Sequence, residues 1–251
     1  DFLGKDSVRW QETVVAEGHD KQFHENLKNI IEKKKPKDEI FEGITSRHVN
    51  QYYSGIVKGL TAKVFRTYLA TTVVKNYLVK HDTIKTKTAN EKLYHAKLAN
   101  LEAAIMCNHK RTIPKTYEQT LQKKRDSIKK LEKEKVWVKT QDTLKKVESK
   151  EPKTDTQKKS KTKRIKTLNE QIKKQKSKHK ERLQKLELQL DLSEKTKDYA
   201  IGTSLRNYID PRVFKAWTDE VGAEWEKLYT AALQKKFLWV KNEDVEWNNL
   251  K

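Results

Sequence analysis

A pair of cations at helical spacing is the first feature of this sequence that could do chemistry. Lys63 and Arg66 are three residues apart in Lys63-Val64-Phe65-Arg66, so a helix would present both on one face. The apolar neighbours predict that this helix is packed, and an arginine at the edge of a packed helix needs an anion. Phosphate fits the planar guanidinium fork. A solvated basic face, the commoner fate of such pairs, is the plainer explanation.

Three further polar clusters lie at predicted turns or helix ends. They are Lys5 in a tight turn at residues 4–6, the basic cluster His109, Lys110 and Arg111 after an apolar helix, and Tyr208 in the turn-rich segment 202–212. Each also has a structural explanation: an exposed turn lysine, an ordinary helix end and a half-buried aromatic ring. Taken together, however, their residue types suit one reaction.

That reaction is attack on a DNA phosphodiester. A tyrosine hydroxyl can form a covalent phosphotyrosine, arginine and histidine can neutralise the charge of the transition state, and lysine can protonate the departing sugar oxygen. The sequence has no HExxH motif, no cysteine pair, no acidic metal cluster and no Walker-type glycine loop. We therefore expect no metal, no ATP and no other cofactor.

Composition narrows the class of protein further. The chain has 251 residues, with 56 Lys or Arg against 35 Asp or Glu and a formal charge of +21. A nucleic-acid partner explains this charge better than solubility alone. No segment approaches the roughly 20 apolar residues of a membrane-spanning helix, and Cys107 is the only cysteine, which excludes a disulfide scaffold. The chain begins at Asp1 without a leader-peptide pattern, and we interpret it as a fragment.

Glycine placement predicts a mainly helical protein of the α+β class. No glycine occurs between Gly59 and Gly202, which favours helix throughout that stretch. We expect part of a helical catalytic core with a short N-terminal β-hairpin in residues 1–113, a long antiparallel coiled-coil linker in 114–197, and a small helical C-terminal domain with its own aromatic core in 198–251. The helix expected after Thr61 carries Val64, Phe65, Tyr68, Leu69 and Val73, and these apolar residues predict that it is largely packed.

Sparse apolar residues at steps of three, four and seven predict the linker hairpin. One stripe consists of Tyr117, Leu121, Ile128 and Leu131, and the other of Ile165, Leu168, Ile172, Leu183, Leu186 and Leu190. Between them Pro152 marks a polar turn, which leaves two arms of about 45 Å at about 1.5 Å per residue. The segment 117–197 holds 27 Lys or Arg against 13 Asp or Glu. A disordered basic linker is the alternative.

Four motifs are specific enough to point to a known family. They are Phe2-Leu3-Gly4-Lys5-Asp6-Ser7, Gly59-Leu60-Thr61-Ala62-Lys63-Val64-Phe65-Arg66-Thr67-Tyr68, Cys107-Asn108-His109 and Asn207-Tyr208-Ile209-Asp210-Pro211-Arg212. They closely resemble eukaryotic-type DNA topoisomerase IB in their residues, order and spacing, with a charged hairpin before the tyrosine. The likeness covers essentially the whole chain and is least specific in the hairpin.

The resemblance implies a role for each candidate residue. Tyr208 is the nucleophile of a 3′-phosphotyrosyl link, Arg66 and His109 bind the scissile phosphate, and Lys5 is the general acid towards the 5′ oxygen. Asp6 and Asn207 match positions beside the site where camptothecin-type drugs stack. Further DNA-contact candidates are Lys63, Arg206, Lys110 and Arg111.

The resemblance also implies what the whole enzyme does and where. It relaxes supercoiled double-stranded DNA by nicking one strand, letting it rotate and resealing it, without ATP because the phosphotyrosine stores the bond energy. The basic hairpin lies near the rotating DNA as an electrostatic brake. We expect a monomer with no membrane association, acting on chromosomal DNA in the nucleus of a eukaryote or in the cytoplasm and nucleoid of an archaeon.

Two departures from the family pattern qualify this resemblance. The family's upstream catalytic arginine and its DNA-wrapping cap have no counterpart in this chain, so the chain alone is expected to be inactive. The family's Ser-Lys-x-x-Tyr motif is Ser204-Leu205-Arg206-Asn207-Tyr208 here, with leucine in place of lysine. This difference suggests a divergent branch, such as an archaeal relative of the eukaryotic-type enzyme.

Two alternatives remain open at this point. A tyrosine recombinase shares the nucleophile, but such enzymes show His-x-x-Arg where this chain has Lys63-x-x-Arg66, and they lack the hairpin. A non-enzymatic, basic coiled-coil DNA-binding protein explains the charge and the heptads. It does not explain the block at 59–68 or the segment around Tyr208.

Overall fold

The computed structural model describes residues 2–3, 9–11, 13, 15, 17–18 and 20–250. Strands β1 (Phe2–Leu3) and β2 (Arg9–Trp10) pair antiparallel, with Phe2 opposite Trp10. The turn predicted between them, with Lys5 and Asp6, lies outside the described residues.

The described part of the chain is otherwise mainly helical, as glycine placement predicts. The α-helices are α1 (Asp20–Ile31), α2 (Ser46–Ile56), α3 (Ala62–Lys80), α4 (Ala89–Met106), α5 (Tyr117–Lys133), α6 (Val138–Glu148), α7 (Asp155–Lys195), α8 (Ile201–Asn207), α9 (Pro211–Val221) and α10 (Ala231–Lys236). Short 3₁₀ helices span Asp82–Thr86, Trp225–Leu228, Leu238–Asn242 and Trp247–Asn249. No helix in this part of the chain has the length and apolarity needed to cross a membrane.

Helices α3 and α4 pack against each other, and the buried residues of α4 are mostly alanines. Helix α3 buries Ala70, Val74 and Leu78, and α4 buries an alanine-rich stripe that includes Ala96 and Ala103. Alanine at these positions lets two backbones approach and has the highest helix propensity.

The prediction that the first apolar residues of α3 are packed is wrong. Val64, Phe65, Tyr68 and Leu69 are 45–69% exposed, whereas the buried stripe begins at Ala70 and continues at four-residue steps. Large apolar residues outnumber alanines in the first two turns, so hydrophobicity alone pointed to the wrong face. The observed packing instead selects the side with the smaller side chains.

The C-terminal aromatic residues share one core with α3 and α4, so the prediction of a separate C-terminal core is also wrong. Phe214 and Trp217 of α9 are each 1% exposed and belong to the same cluster as Val74 and Leu78. Helix α9 is amphipathic, and its apolar stripe completes the core that the small faces of α3 and α4 leave open.

Replacing Trp217 with alanine is expected to lower the free energy of unfolding by about 3–5 kcal/mol, since it leaves a large cavity in this shared core. Trp239 is 46% exposed, so Trp239→Ala should cost less than about 1 kcal/mol. Urea unfolding followed by far-ultraviolet circular dichroism measures both. Equal losses for the two variants would contradict the burial of Trp217 in this core.

The linker forms an antiparallel hairpin built from three helices. Helix α7 has 41 residues, or about 60 Å at about 1.5 Å per residue. It pairs with α5 near its own C-terminal end, where Arg125 lies 2.7 Å from Glu194, and with α6 near its N-terminal end, where Lys161 donates to the carbonyl of Glu148. Five stripe residues are buried: Leu121, Ile128, Leu131, Leu168 and Ile172.

The first arm is broken between α5 and α6, which the apolar spacing did not predict. The break contains Val136 and Trp137 and lies between the end of α5 at Lys133 and the start of α6 at Val138. Trp137 packs edge-on against His179 of α7, with ring centroids 5.2 Å apart, and lies 5.7 Å from the Lys176 ammonium. Through this contact, the segment between α5 and α6 packs against α7.

A polar joint fixes the C-terminal end of α7 to α4. Tyr94 donates a hydrogen bond to the carboxylate of Asp191, and Lys195 Nζ lies 2.8 Å from the Tyr94 hydroxyl and 2.9 Å from the Asp191 carboxylate. These hydrogen bonds to Tyr94 and Asp191 raise the pKa of Lys195 above its ordinary value, because both stabilise the charged ammonium. The direction in which the hairpin leaves the core is therefore set by specific contacts.

Candidate active site

The first two turns of α3 carry the paired cations. Thr61 is the N-cap residue in extended conformation, and the backbone N–H of Ala62 donates to the Asn50 side chain of α2 at 3.0 Å. Lys63 and Arg66 follow on one helix face, as their spacing predicts, and both are exposed. The helix start is thus held in place while the cations remain accessible to a ligand.

The end of α4 positions His109. Asn108 has φ of 50°, a left-handed conformation that asparagine tolerates better than most residues. The backbone N–H of His109 bonds to the carbonyl of Ala104 at 2.8 Å, and that of Asn108 to Ile105 at 2.9 Å. This is a Schellman motif, and it turns the chain sharply so that the histidine follows directly after the helix.

The segment after His109 pairs with the segment before α8. The carbonyl of His109 accepts from the N–H of Ala200, and the N–H of Arg111 donates to Asp198, each at 2.8 Å. Lys110 and Tyr199 form the bridge between these two bonds. The chain therefore leaves for the hairpin and returns at adjacent points, which brings the motif at 107–109 next to the segment that carries Tyr208.

Tyr208 lies between α8 and α9, and both of its flanks are anchored. Its N–H donates to the carbonyl of Ser204 at 2.9 Å, and the next residue, Ile209, is buried in the core. Asp210 caps α9 by accepting from the N–H of Arg212, with Pro211 in the first helical position. The backbone N–H of Asp210 also donates to Thr71 Oγ1 of α3 at 3.0 Å.

These elements bring three predicted residues together around the phenol ring of Tyr208. The Arg66 guanidinium carbon lies 4.9 Å from the ring centroid and Lys63 Nζ 5.6 Å from it. The His109 and Tyr208 ring centroids are 5.1 Å apart with an interplanar angle of 40°. Arg66 donates to the carbonyl of Cys107, at the end of the helix that leads to His109. A half-buried phenol thus lies among three basic side chains, which is an arrangement suited to a phosphate ester.

The other predicted residues are placed less directly. Asn207 and Arg206 are exposed at the end of α8, and the carbonyl of Arg206 accepts from Lys236 at 2.7 Å. Arg111 donates to the carbonyls of Lys197 and Thr196 at 3.3 and 3.4 Å, so its side chain helps to close the hairpin base. Lys110 is exposed beside this bridge.

Sequence reasoning assigned no structural role to three polar residues that hold the site together: Thr71, Asn100 and Ser204. One signal was available, because Asn100 interrupts the alanine stripe of α4 at a position where helical spacing predicts burial. A polar residue on a buried face needs a partner.

Comparison with known families defines the class of protein. A model of the catalytic core of eukaryotic DNA topoisomerase I matches residues 1–143, and a model of the C-terminal topoisomerase domain matches residues 180–249. The chain belongs to the eukaryotic DNA topoisomerase I family, which confirms the resemblance of the four motifs.

Individual relatives agree with this assignment. Over 98% of its length the chain is 35% identical to DNA topoisomerase 1 of Homo sapiens and 34% identical to the mitochondrial DNA topoisomerase I of Rattus norvegicus. It is 33% identical to DNA topoisomerase 1 of Caenorhabditis elegans over 95% of its length. The chain spans 31%, 39% and 27% of the lengths of these three relatives.

Proposed function

We propose that this chain carries the strand-cleaving site of a type IB DNA topoisomerase, an isomerase that relaxes supercoiled double-stranded DNA through a 3′-phosphotyrosyl intermediate. The supporting observation is the meeting of the Tyr208 ring with Arg66, Lys63 and His109, which come from three separate parts of the sequence. Membership of the topoisomerase I family supports the same chemistry.

The chemical step exchanges one phosphate ester for another. The Tyr208 hydroxyl oxygen bonds to phosphorus as the bond to the 5′ oxygen breaks. The phenol gives up its proton to water, and the departing 5′ oxygen takes one from Lys5, which regains it when the strand is rejoined. Rejoining is the reverse, so the energy of the phosphodiester is conserved and neither ATP nor a metal ion is needed.

Arg66 and His109 neutralise the negative charge that accumulates on the phosphoryl oxygens. Arg66 donates to the carbonyl of Cys107, a neutral acceptor at a helix end. A phosphate oxygen is a stronger acceptor and would compete for the guanidinium. The hydrogen bond to Cys107 therefore preorganises the guanidinium and leaves it available to the substrate.

The basic hairpin is proposed to contact DNA downstream of the cut and to slow its rotation. The supporting feature is the excess of basic residues in the hairpin: residues 117–197 hold 27 Lys or Arg against 13 Asp or Glu. Contacts of this kind go to the phosphate backbone and carry little sequence preference. The action on chromosomal DNA, the monomeric state and the camptothecin-type pocket near Asp6 and Asn207 are part of the same proposal.

Relaxation of supercoiled plasmid without ATP or Mg²⁺ is the expected result for a chimaera in which this chain replaces the matching segment of human DNA topoisomerase 1. The rest of the chimaera comes from the human protein. Agarose gel electrophoresis with EDTA present measures relaxation. A requirement for ATP would contradict the proposal, as would a nicked product that carries no protein.

Replacing Lys5 with alanine in this chimaera is expected to slow cleavage by roughly 100-fold, a typical contribution of general acid catalysis. A substrate with sulfur in place of the bridging 5′ oxygen needs little protonation on departure. Cleavage of that substrate should therefore be nearly as fast in Lys5→Ala as in the parent. A similar defect on both substrates would contradict an acid role for Lys5.

A further inference from the structure

A buried polar pair joins α8 to α4. Asn100 is 3% exposed and Ser204 is fully buried. The Ser204 hydroxyl donates to Asn100 Oδ1 at 2.7 Å, and Asn100 Nδ2 donates to the carbonyl of Ile201 at 2.8 Å. The opposite amide orientation would set two oxygens against each other at Ile201, so only the observed one satisfies both partners.

The pair connects the two helices that lead to the reacting groups. Helix α4 leads to His109 through its Schellman motif, and α8 leads directly into Tyr208. Helix α8 has only seven residues, and helices this short have little stability of their own. Its position therefore depends on tertiary contacts, of which this pair is the most deeply buried polar one.

A second contact ties the other side of Tyr208 to the helix that carries Arg66. The backbone N–H of Asp210 donates to Thr71 Oγ1, five residues along α3 from Arg66. The tyrosine is thus held from one side against the histidine helix and from the other against the arginine helix. Apolar contacts are non-directional and do not fix the register of α8. A donor–acceptor pair with α4 permits only one register.

We propose that Asn100 is a positioning residue that, through Ser204, sets the register of α8 and hence the place of the Tyr208 phenol beside His109. The effect on cleavage rests on the proposed function, whereas the effect on α8 does not. A core pair that only adds stability would loosen all elements together when it is removed.

The first test measures amide hydrogen exchange in the chain itself. Asn100→Leu keeps a side chain of similar size but removes both hydrogen bonds. Exchange of the amides at 206–208 should rise about tenfold more than exchange in α9, because a buried hydrogen bond is lost locally. Thr218→Val is the matched control, since Thr218 is fully buried in α9 and donates to the carbonyl of Lys215 at 2.9 Å. An equal rise at 206–208 in the two variants overturns the proposal.

The second test measures single-turnover cleavage and DNA affinity in the human chimaera. Asn100→Leu and Ser204→Ala should each slow covalent attachment by roughly 10- to 100-fold at saturating DNA, with the dissociation constant unchanged. The double variant should cleave no more slowly than the slower single variant, because Asn100→Leu already removes the hydrogen bond that Ser204→Ala breaks. Thr218→Val should cleave at the parent rate per folded molecule.

The outcomes separate the two proposals. If the parent chimaera forms no covalent complex, the proposed function fails, and the exchange experiment still decides whether Asn100 fixes α8. If the parent cleaves and Asn100→Leu cleaves at the rate of Thr218→Val, the positioning role is overturned while the function stands.

Discussion

Replacing Tyr208 with phenylalanine should abolish the covalent protein–DNA complex while DNA binding persists. Phenylalanine keeps the ring that lies against Arg66, Lys63 and His109, so the shape and charge of the pocket are retained. Only the hydroxyl oxygen that would attack phosphorus is lost. Because no other group can take over as the nucleophile, we expect no detectable cleavage.

Denaturing gel electrophoresis of end-labelled DNA incubated with the human chimaera checks this expectation, and gel shift without denaturant measures binding. Tyr68→Phe is the matched control, because Tyr68 is on α3 near the site but is 69% exposed. It should form the covalent complex at the parent rate. DNA that still migrates with the Tyr208→Phe protein would show that another residue is the nucleophile.

Local spacing was enough to predict some elements of the fold, such as the linker hairpin. It was not enough to predict which face of α3 is buried. The hairpin follows from apolar residues at coiled-coil steps on both sides of Pro152, and Leu121 and Leu168 are buried as this pattern requires. The packed face of α3 does not follow from hydrophobicity, because Ala70 is buried whereas the larger Phe65 and Tyr68 are exposed. Which face a neighbour covers is a tertiary property, absent from the sequence of one helix.

The same distinction holds for the candidate site. The shared face of Lys63 and Arg66 follows from helical periodicity, and the turn before His109 follows from an asparagine at a helix end. Tyr208 lies nearly 100 residues after His109. That it would meet Lys63, Arg66 and His109 could be expected only from the family resemblance. It depends on the backbone pairing of 109–111 with 198–200, for which neither segment has a sequence signature.

Arg66→Ala is expected to slow cleavage by roughly 100- to 1,000-fold at saturating DNA, the range for losing one preorganised donor to a transition-state oxyanion. Arg66→Lys should recover part of this loss, since lysine restores the charge but not the planar fork. The Cys107 carbonyl loses its donor in Arg66→Ala, so thermal unfolding is measured alongside to normalise for folded protein.

Lys80→Ala separates this local role from the general attraction between a basic protein and DNA. Lys80 is an exposed cation at the far end of the same helix, so its removal lowers the net charge by the same amount. It should weaken binding slightly and leave single-turnover cleavage at saturation unchanged. The difference between the two variants then measures what the guanidinium contributes beside the Tyr208 ring. If Arg66→Ala and Lys80→Ala slow cleavage equally, the guanidinium contributes only bulk charge and does not stabilise the transition state.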